Sequence, residues 1–473
     1  MVTRFQLDQS SQVPLYRQLH EHISGLIRVG NLAHGSRLPA TRELASQFGL
    51  NRTTVSAAYA LLENDGLIRG HVGRGSFVHY DGPLQAPSSA DQTITFASSR
   101  PAAEDFPMAD FQRCCTEVIA GPEAGAILQL GSPAGYPPLR RFLIDQATFE
   151  GCFADGDDLV VTNGCQQAMD LLQRVLAPAG STVIVEDPVY HGLRNVFERA
   201  GARLTGLPMC DDGIDLERLE RVLTNERPRL LVLTPNFQNP TGATLSLDAR
   251  LAIVQMVQDS GVTLVENDIY GELRYEGERL PTIRELDKSG RTILIRSFSK
   301  IAFPGLRVGW VIAPARIAAE IAEARQWCDL HTDHLSQAIL LRFAETGRLS
   351  NHLEKVRLAG RERLRSVLSA CARYLPPGSH FTRPEGGMNL WLTMPRGIDT
   401  SELLPRAVRE GVSYLPGRNF AVSHVNPATL RLSFGGLTPA RIESGVAILG
   451  RLFRDELERS GTLSRFDAAP ALV

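Results

Sequence analysis

The sequence predicts two units of different class. One is a small helical head closed by a β-hairpin; the other is a larger α/β body on a mostly parallel, doubly wound sheet. Three observations carry this reading. Residues 14–80 show helical apolar spacing that gives way to two short strands around a Gly-Arg-Gly turn. Residues 81–93, DGPLQAPSSADQT, lack periodicity and are rich in Pro, Ser, Gln and Ala, as a linker is. From about 94 onward, apolar strands alternate with amphipathic helices.

A chain of 473 residues is also too long for one compact unit. Its 43% apolar and 22% charged content is that of a soluble globular protein. No apolar run reaches the roughly 18 residues needed to span a bilayer, and MVTRFQLDQSSQVP has no hydrophobic signal core. The expected location is cytoplasmic. Seven cysteines, at 114, 115, 152, 165, 210, 328 and 371, form no CxxC pair. Their odd number and scatter argue for reduced thiols, with no disulfide framework and no metal site.

The head is read element by element. Leu15, Leu19, Ile23, Leu26 and Ile27 recur at helical spacing in PLYRQLHEHISGLIRVG. A second, short helix fits TRELASQF and ends at Gly49, a residue suited to a left-handed turn. Asn51 then caps a third helix, RTTVSAAYALLEN, which Asp65-Gly66 stops. LIRGHVGRGSFVHY follows as the hairpin. Residues 1–80 carry eight arginines against five acids, a net +3, whereas the whole chain carries −2. A basic head on an acidic body suits an anionic partner.

Such a head can place its third helix in a DNA major groove and lay the hairpin along phosphates. Arg52, Thr53 and Thr54 open that helix, where unpaired N–H groups favour phosphate. Arg42 begins the second helix, and Arg74 projects from the hairpin tip. A protein-interaction domain with surface arginines is the other use of this pattern. The run LPATRELASQFGLNRTTVSAAYALLENDGLIRGHVGRGSFV resembles the GntR-family winged helix-turn-helix nearly end to end. That resemblance implies double-stranded DNA as partner and Arg42, Arg52, Thr53, Thr54 and Arg74 as contacts. Ala40 departs from it, standing where a capping Ser is usual, at a cost of about 1 kcal/mol.

In the body, DLVVTNG, STVIVED, RLLVLTP, TLVEND, TILIRSFS and VGWVIAP read as strands. After about 331 the helices lengthen and strands thin to GGMNLWLTM and TLRLSFGG, a smaller α+β domain running to about 460. Residues 461–473 read as a tail. Only three lysines occur. Lys288 and Lys355 lie in polar contexts, whereas Lys300 follows an apolar strand, at the sheet edge where open α/β folds bind ligands. A sheltered amine there suits Schiff-base chemistry.

Other strand ends converge on the same rim. A carboxylate at Asp268 could pair with a protonated pyridine nitrogen, and Asn239 and Tyr270 could donate to a phenolate oxygen. Tyr190 could stack on a ring. Gly164, Cys165 and Gln166 open a helix able to hold phosphate, with Ser297 and Arg307 assisting. Arg431 could grip a carboxylate. Taken singly, Asp268 could be a helix cap, Asn239 a turn residue and Arg431 a surface charge.

TPNFQNPTG, VENDIY, SFSK…GLR and LRLSF together resemble fold-type I, class I aminotransferases over roughly 94–455. The resemblance implies pyridoxal 5′-phosphate as cofactor, Lys300 as the aldimine lysine, Asp268 and Tyr270 as its catalytic companions, and a homodimer. Three positions depart from it: Leu130 replaces a Tyr that reaches the partner's phosphate, Cys165 a Ser, and Ser99 a Gly that lines the substrate pocket. Ser99 and the adjacent Arg100 are therefore expected to shape ligand choice. A GntR-like head on an aminotransferase-like body resembles the MocR regulators. The implied function is a DNA-binding regulator that senses an amine or amino acid through aldimine exchange at Lys300. The alternative is a working aminotransferase with a DNA-binding appendage. A third reading is a cofactor-free DNA-binding scaffold.

Overall fold

The structure, a computed structural model, describes residues 14–28, 32, 34–71, 75–79, 93–210 and 213–460. Arg74, most of the expected linker and the expected tail lie outside the described residues. The chain divides into two compact units, Met1–Gln92 and Thr93–Val473. No described helix is long and apolar enough to cross a membrane.

In the head, α1 (Leu15–Arg28), α2 (Thr41–Phe48) and α3 (Arg52–Asn64) precede β1 (Ile68–His71) and β2 (Gly75–Val78). The strands pair antiparallel, with Arg69 facing Phe77. Leu19, Ile23, Leu44, Val55, Ala58 and Leu62 are fully buried together. Burying one such side chain contributes roughly 1.5–3 kcal/mol, so this cluster is what packs the three helices. Gly49 adopts φ 63° and closes α2 by donating to Ala45. Asn51 accepts from the Thr53 N–H at 3.1 Å, satisfying a donor at the start of α3. Ala40 makes no such cap for α2.

The body begins with β3 (Ile94–Thr95), α4 (Met108–Ala120), α5 (Ala124–Ile127) and α6 (Pro137–Phe149). There follow β4 (Asp157–Thr162), α7 (Gly164–Leu176), β5 (Thr182–Asp187), α8 (His191–Arg199), β6 (Arg203–Cys210) and β7 (Gly213–Ile214). Next come α9 (Leu216–Glu226), β8 (Leu230–Leu233), α10 (Leu247–Ser260), β9 (Thr263–Asn267) and α11 (Ile283–Leu286). β10 (Thr292–Ser297) and β11 (Gly309–Pro314) complete the large sheet, ordered β4-β11-β10-β9-β8-β5-β6-β7. Its centre is parallel; β11 and β7 run antiparallel to their neighbours. β6 has no counterpart among the strands expected from the sequence, because Gly206 and Pro208 interrupt its apolar pattern.

Helices cover both faces of the sheet. Val185, Val232, Val265 and Ile295 pack on the face with Ala168 and Met169 of α7. Ile184, Leu231 and Leu264 pack on the other, with Ile253 and Val257 of α10. The chain continues through α12 (Ala315–Asp329), α13 (His334–Glu345) and α14 (Arg348–Tyr374). The remaining elements are β12 (His380–Phe381), β13 (Asn389–Thr393), α15 (Thr400–Arg409), β14 (Val412–Ser413), β15 (Leu415–Pro416), β16 (Thr429–Ser433) and α16 (Pro439–Arg459). A second, antiparallel sheet has the order β12-β13-β16-β15. β3 pairs in parallel with β14, so the body's first segment is built into its C-terminal part.

Candidate functional site

In the head, Arg42, Arg52 and Thr53 are exposed at the starts of α2 and α3, and Thr54 is half-buried. α3 is held from behind by Tyr59, whose hydroxyl donates to the Pro39 carbonyl at 2.8 Å, and by its buried apolar face. Arg52 and Thr53 therefore project from a braced helix end, the geometry that phosphate contact requires.

In the body, a cavity of about 330 Å³ opens where the strand ends of the large sheet meet β15, β16 and the segment after β3. Lys300 lies in a 3₁₀ turn, Phe298–Lys300, just beyond β10. Its Nζ donates to the Ser99 carbonyl and lies 5.6 Å from the Tyr270 ring centroid. The Tyr270 and Ser99 hydroxyls are hydrogen-bonded at 3.3 Å. Ser99 thus touches both the amine and the phenol.

One wall of the cavity is suited to an anion. Cys165 and Gln166, in the first turn of α7, line it together with Ser299 and Arg307. Gly164 opens that turn at φ 75°, and a Cβ there would stand 2.6 Å from Arg307 Nη2. Glycine is what lets the guanidinium approach the helix N-terminus. Arg307 Nη1 donates to Ser299 Oγ at 3.3 Å. Burial raises the Cys165 thiol, so it stays protonated and adds no negative charge against an anion; Lys300 and Arg307 oppose that shift.

Another wall belongs to the small domain. Arg431, on β16, donates through Nη1 to Asn239 Oδ1 at 2.9 Å and through Nη2 to the Ala97 carbonyl. Its Nε is buried without a partner. Burial lowers the guanidinium to about 10, with Tyr270 and Tyr190 pulling the other way. Tyr190 lines the cavity with its phenol raised by burial, and neighbouring His191 is lowered, first by burial and then by Arg431 and Arg194.

The structure thus brings Lys300, Tyr270, Asn239, Tyr190, Cys165, Gln166, Arg307, Arg431 and Ser99 to one cavity, with Gly164 directly behind. It does not bring Asp268, Ser297 or Arg100 to the lining. Asp268 is buried with both oxygens occupied: Oδ1 accepts from Asn236 at 2.8 Å and Oδ2 pairs with Arg296 at 3.2 Å. Strand alternation sends it away from α7, and its neighbour Asn267 lines the cavity instead. Ser297 is buried, with its hydroxyl on the Val308 carbonyl and the Ser299 N–H; Ser299, two residues on, presents the hydroxyl. Arg100 is exposed. Asn267, Ser299, His191 and Thr234 are lining residues that the sequence reading missed.

A phosphorylated pyridine aldehyde fits this donor set. The cavity lining offers an amine, a phenol and an amide together with a helix N-terminus that is reinforced by an arginine. The unpartnered Arg431 Nε adds a buried donor for a further anionic group.

Comparison with known proteins agrees. Residues 122–449 match the model of aminotransferase class I and II, and residues 15–78 that of the bacterial regulatory proteins of the gntR family. The chain is 37% identical to 2-aminoadipate transaminase of Thermus thermophilus over 76% of this chain and 90% of that one. It is 29% identical to the probable rhizopine catabolism regulatory protein MocR of Rhizobium meliloti over 98% of this chain and 99% of that one. The multiple substrate aminotransferase of Thermococcus profundus superposes with a TM-score of 0.75 at 32% identity, covering 80% of this chain and 97% of that one. The α-aminoadipate aminotransferase LysN of Thermus thermophilus, solved with N-(5′-phosphopyridoxyl)-L-leucine, gives 0.73 at 36% identity, covering 79% and 96%. The chain therefore belongs to the class I and II aminotransferase family, in the MocR-type arrangement that sets a gntR-family DNA-binding domain ahead of the pyridoxal-phosphate domain.

Proposed function

We propose that this pyridoxal-phosphate-dependent regulator reads a small amine or amino acid in the body cavity and reports it through the head. The observation that carries the reading is the make-up of the cavity wall. Lys300 and Tyr270 come from the large sheet, whereas Leu415 and Arg431 come from the small domain. A ligand held by both bridges the two. Such a ligand acts through its different affinity for the two domain arrangements.

The cofactor, when bound, supplies an aldehyde carbon at which a ligand amine can replace the Lys300 amine. The chain's own residues do the rest. Cys165, Gln166, Ser299 and Arg307 hold the phosphate; Asn239 and Tyr270 orient the ring; Tyr190 covers one face. Arg431 selects ligands that carry a carboxylate. Arg42, Arg52 and Thr53 hold DNA phosphates, with the α3 N-terminus entering the groove. The site of action is the cytoplasm. Leu128, Leu130, Phe149, Trp327 and Leu330 are large apolar side chains left exposed on the body, which supports a homodimer, with exchanged heads as one way to build it.

Absorption spectra test this reading. A bound-cofactor band that particular amines shift, and that Lys300→Ala abolishes, is the expected result. Full conversion of that band by a 2-oxo acid after amino-acid treatment, with no ligand effect on DNA binding, would favour the aminotransferase reading instead.

A further inference from the structure

The end of β9 bears on what the site can do with the group it holds. Along β9 the side chains alternate: Val265 packs with Ala168 and Met169 of α7, and Leu264 packs on the opposite face with α10. Glu266 shares the Leu264 face, accepting from the Ile283 and Arg284 N–H groups at 2.9 and 2.8 Å. Asn267 therefore falls on the α7 face, where Met169 also lines the cavity. Its Nδ2 reaches Thr234 Oγ1 at 3.4 Å, and its Oδ1 is buried without a partner. The amide therefore has hydrogen-bonding capacity to spare at the cavity: turned end for end, its Oδ1 accepts from the Thr234 hydroxyl and its Nδ2 is left to donate to a ligand acceptor.

The nearby carboxylate is not free to take that place. Asp268 is locked between Asn236 and Arg296; Asn236 in turn accepts from Arg250 at 2.7 Å, and Arg296 also pairs with Glu150 at 2.5 Å. Moving it would leave buried arginine and amide donors unpaired, a large cost.

Building on the pyridoxal-phosphate reading above, we infer that Asn267 is the residue facing the bound ring's nitrogen, so that a neutral amide stands there and the nitrogen stays unprotonated. The physical reason is a balance of charge. A buried pyridinium needs an anion beside it, whereas an amide that donates its Nδ2–H favours the unprotonated nitrogen, which can only accept. Without a pyridinium the ring withdraws electrons weakly, so this chain exchanges amines at Lys300 but transfers their amino group slowly. The amide thus restricts the site to sensing.

The test is ¹⁵N NMR of the full-length protein reconstituted with pyridoxal phosphate labelled at the ring nitrogen. An unprotonated-pyridine shift at neutral pH is expected, moving to the protonated position in Asn267→Asp. The same variant should speed single-turnover amino transfer to a 2-oxo acid on the order of tenfold or more. A protonated nitrogen in the unmodified protein would overturn the inference and leave the cavity reading intact. Failure of the protein to bind the labelled cofactor would overturn both. The unmodified protein alone decides between these outcomes, so the test does not depend on either variant folding. Asp268→Asn serves as a control: an unchanged nitrogen shift in a cofactor-binding preparation supports the assignment, and a changed one contradicts it.

Discussion

Arg431 Nη1 donates to Asn239 Oδ1 at 2.9 Å, tying the small domain's sheet to the loop after β8 across the ligand cavity. The Nε of the same guanidinium is buried without a partner, so the pair is arranged to accept one more anionic group.

Arg431→Ala should therefore weaken binding of amino acids by about 1.5–3 kcal/mol, the worth of a charged hydrogen bond. Binding of amines without a carboxylate should stay unchanged. Titrating the cofactor band with a matched amine and amino acid separates the two. Equal losses for both would give Arg431 a structural role only.

Gly164→Ala should reduce pyridoxal-phosphate affinity by roughly tenfold or more, the worth of the charged hydrogen bonds that Arg307 gives the phosphate, and strain at positive φ should cost the fold about 1–3 kcal/mol. The new Cβ also displaces Arg307, whose Nη2 would stand 2.6 Å away. Reconstitution titrations of the apoprotein measure this. An unchanged affinity would remove the α7 N-terminus from the phosphate site.

Stability should fall as pH rises toward 8. Burial raises Glu186 to about 8, against hydrogen bonds from the Thr234 N–H and Gln238 that lower it. The folded protein keeps a proton that the unfolded chain releases above about pH 4.3. Folding then binds the extra proton between those limits, and the loss is at most about 1.4 kcal/mol per pH unit. Melting temperatures from pH 5 to 8 should show this slope, and Glu186→Gln should flatten it.

Arg52→Ala in the head should weaken DNA binding nearly uniformly across sequences and reduce the salt slope by about 1. The cofactor band should not change. Salt-dependent anisotropy on labelled duplexes measures both. Sequence-selective loss would make Arg52 a base-reading residue rather than a phosphate contact.

The head was legible because its signals are local: Gly49 ends α2 and Asn51 caps α3 within a few residues of the apolar pattern. The longer strands of the body were legible for the same reason, except β6, where Gly206 and Pro208 hide the pattern; the two-residue strands β3, β7, β12, β14 and β15 are too short to show one. The pairing of Ile94 with Val412 was not legible, because it joins residues more than 300 positions apart. At the site the residue types were readable and their facing was not. VENDIY offers Asn267 and Asp268 side by side, and a carboxylate is the expected partner for a pyridinium. Counting the alternation back to Val265 would have favoured Asn267. Likewise SFSK holds Ser297 and Ser299, and only the 3₁₀ turn after β10 decides which hydroxyl reaches Arg307.

Coupling between the cavity and the head is tested most directly by the DNA affinity of the cofactor-loaded protein with and without a panel of amines and amino acids. Duplexes selected from a random-sequence pool by the protein itself supply the probe. At least one compound should change the affinity by about fivefold or more, and Lys300→Ala should remove the effect while still binding DNA. An effect that persists undiminished in Lys300→Ala would contradict sensing through that amine.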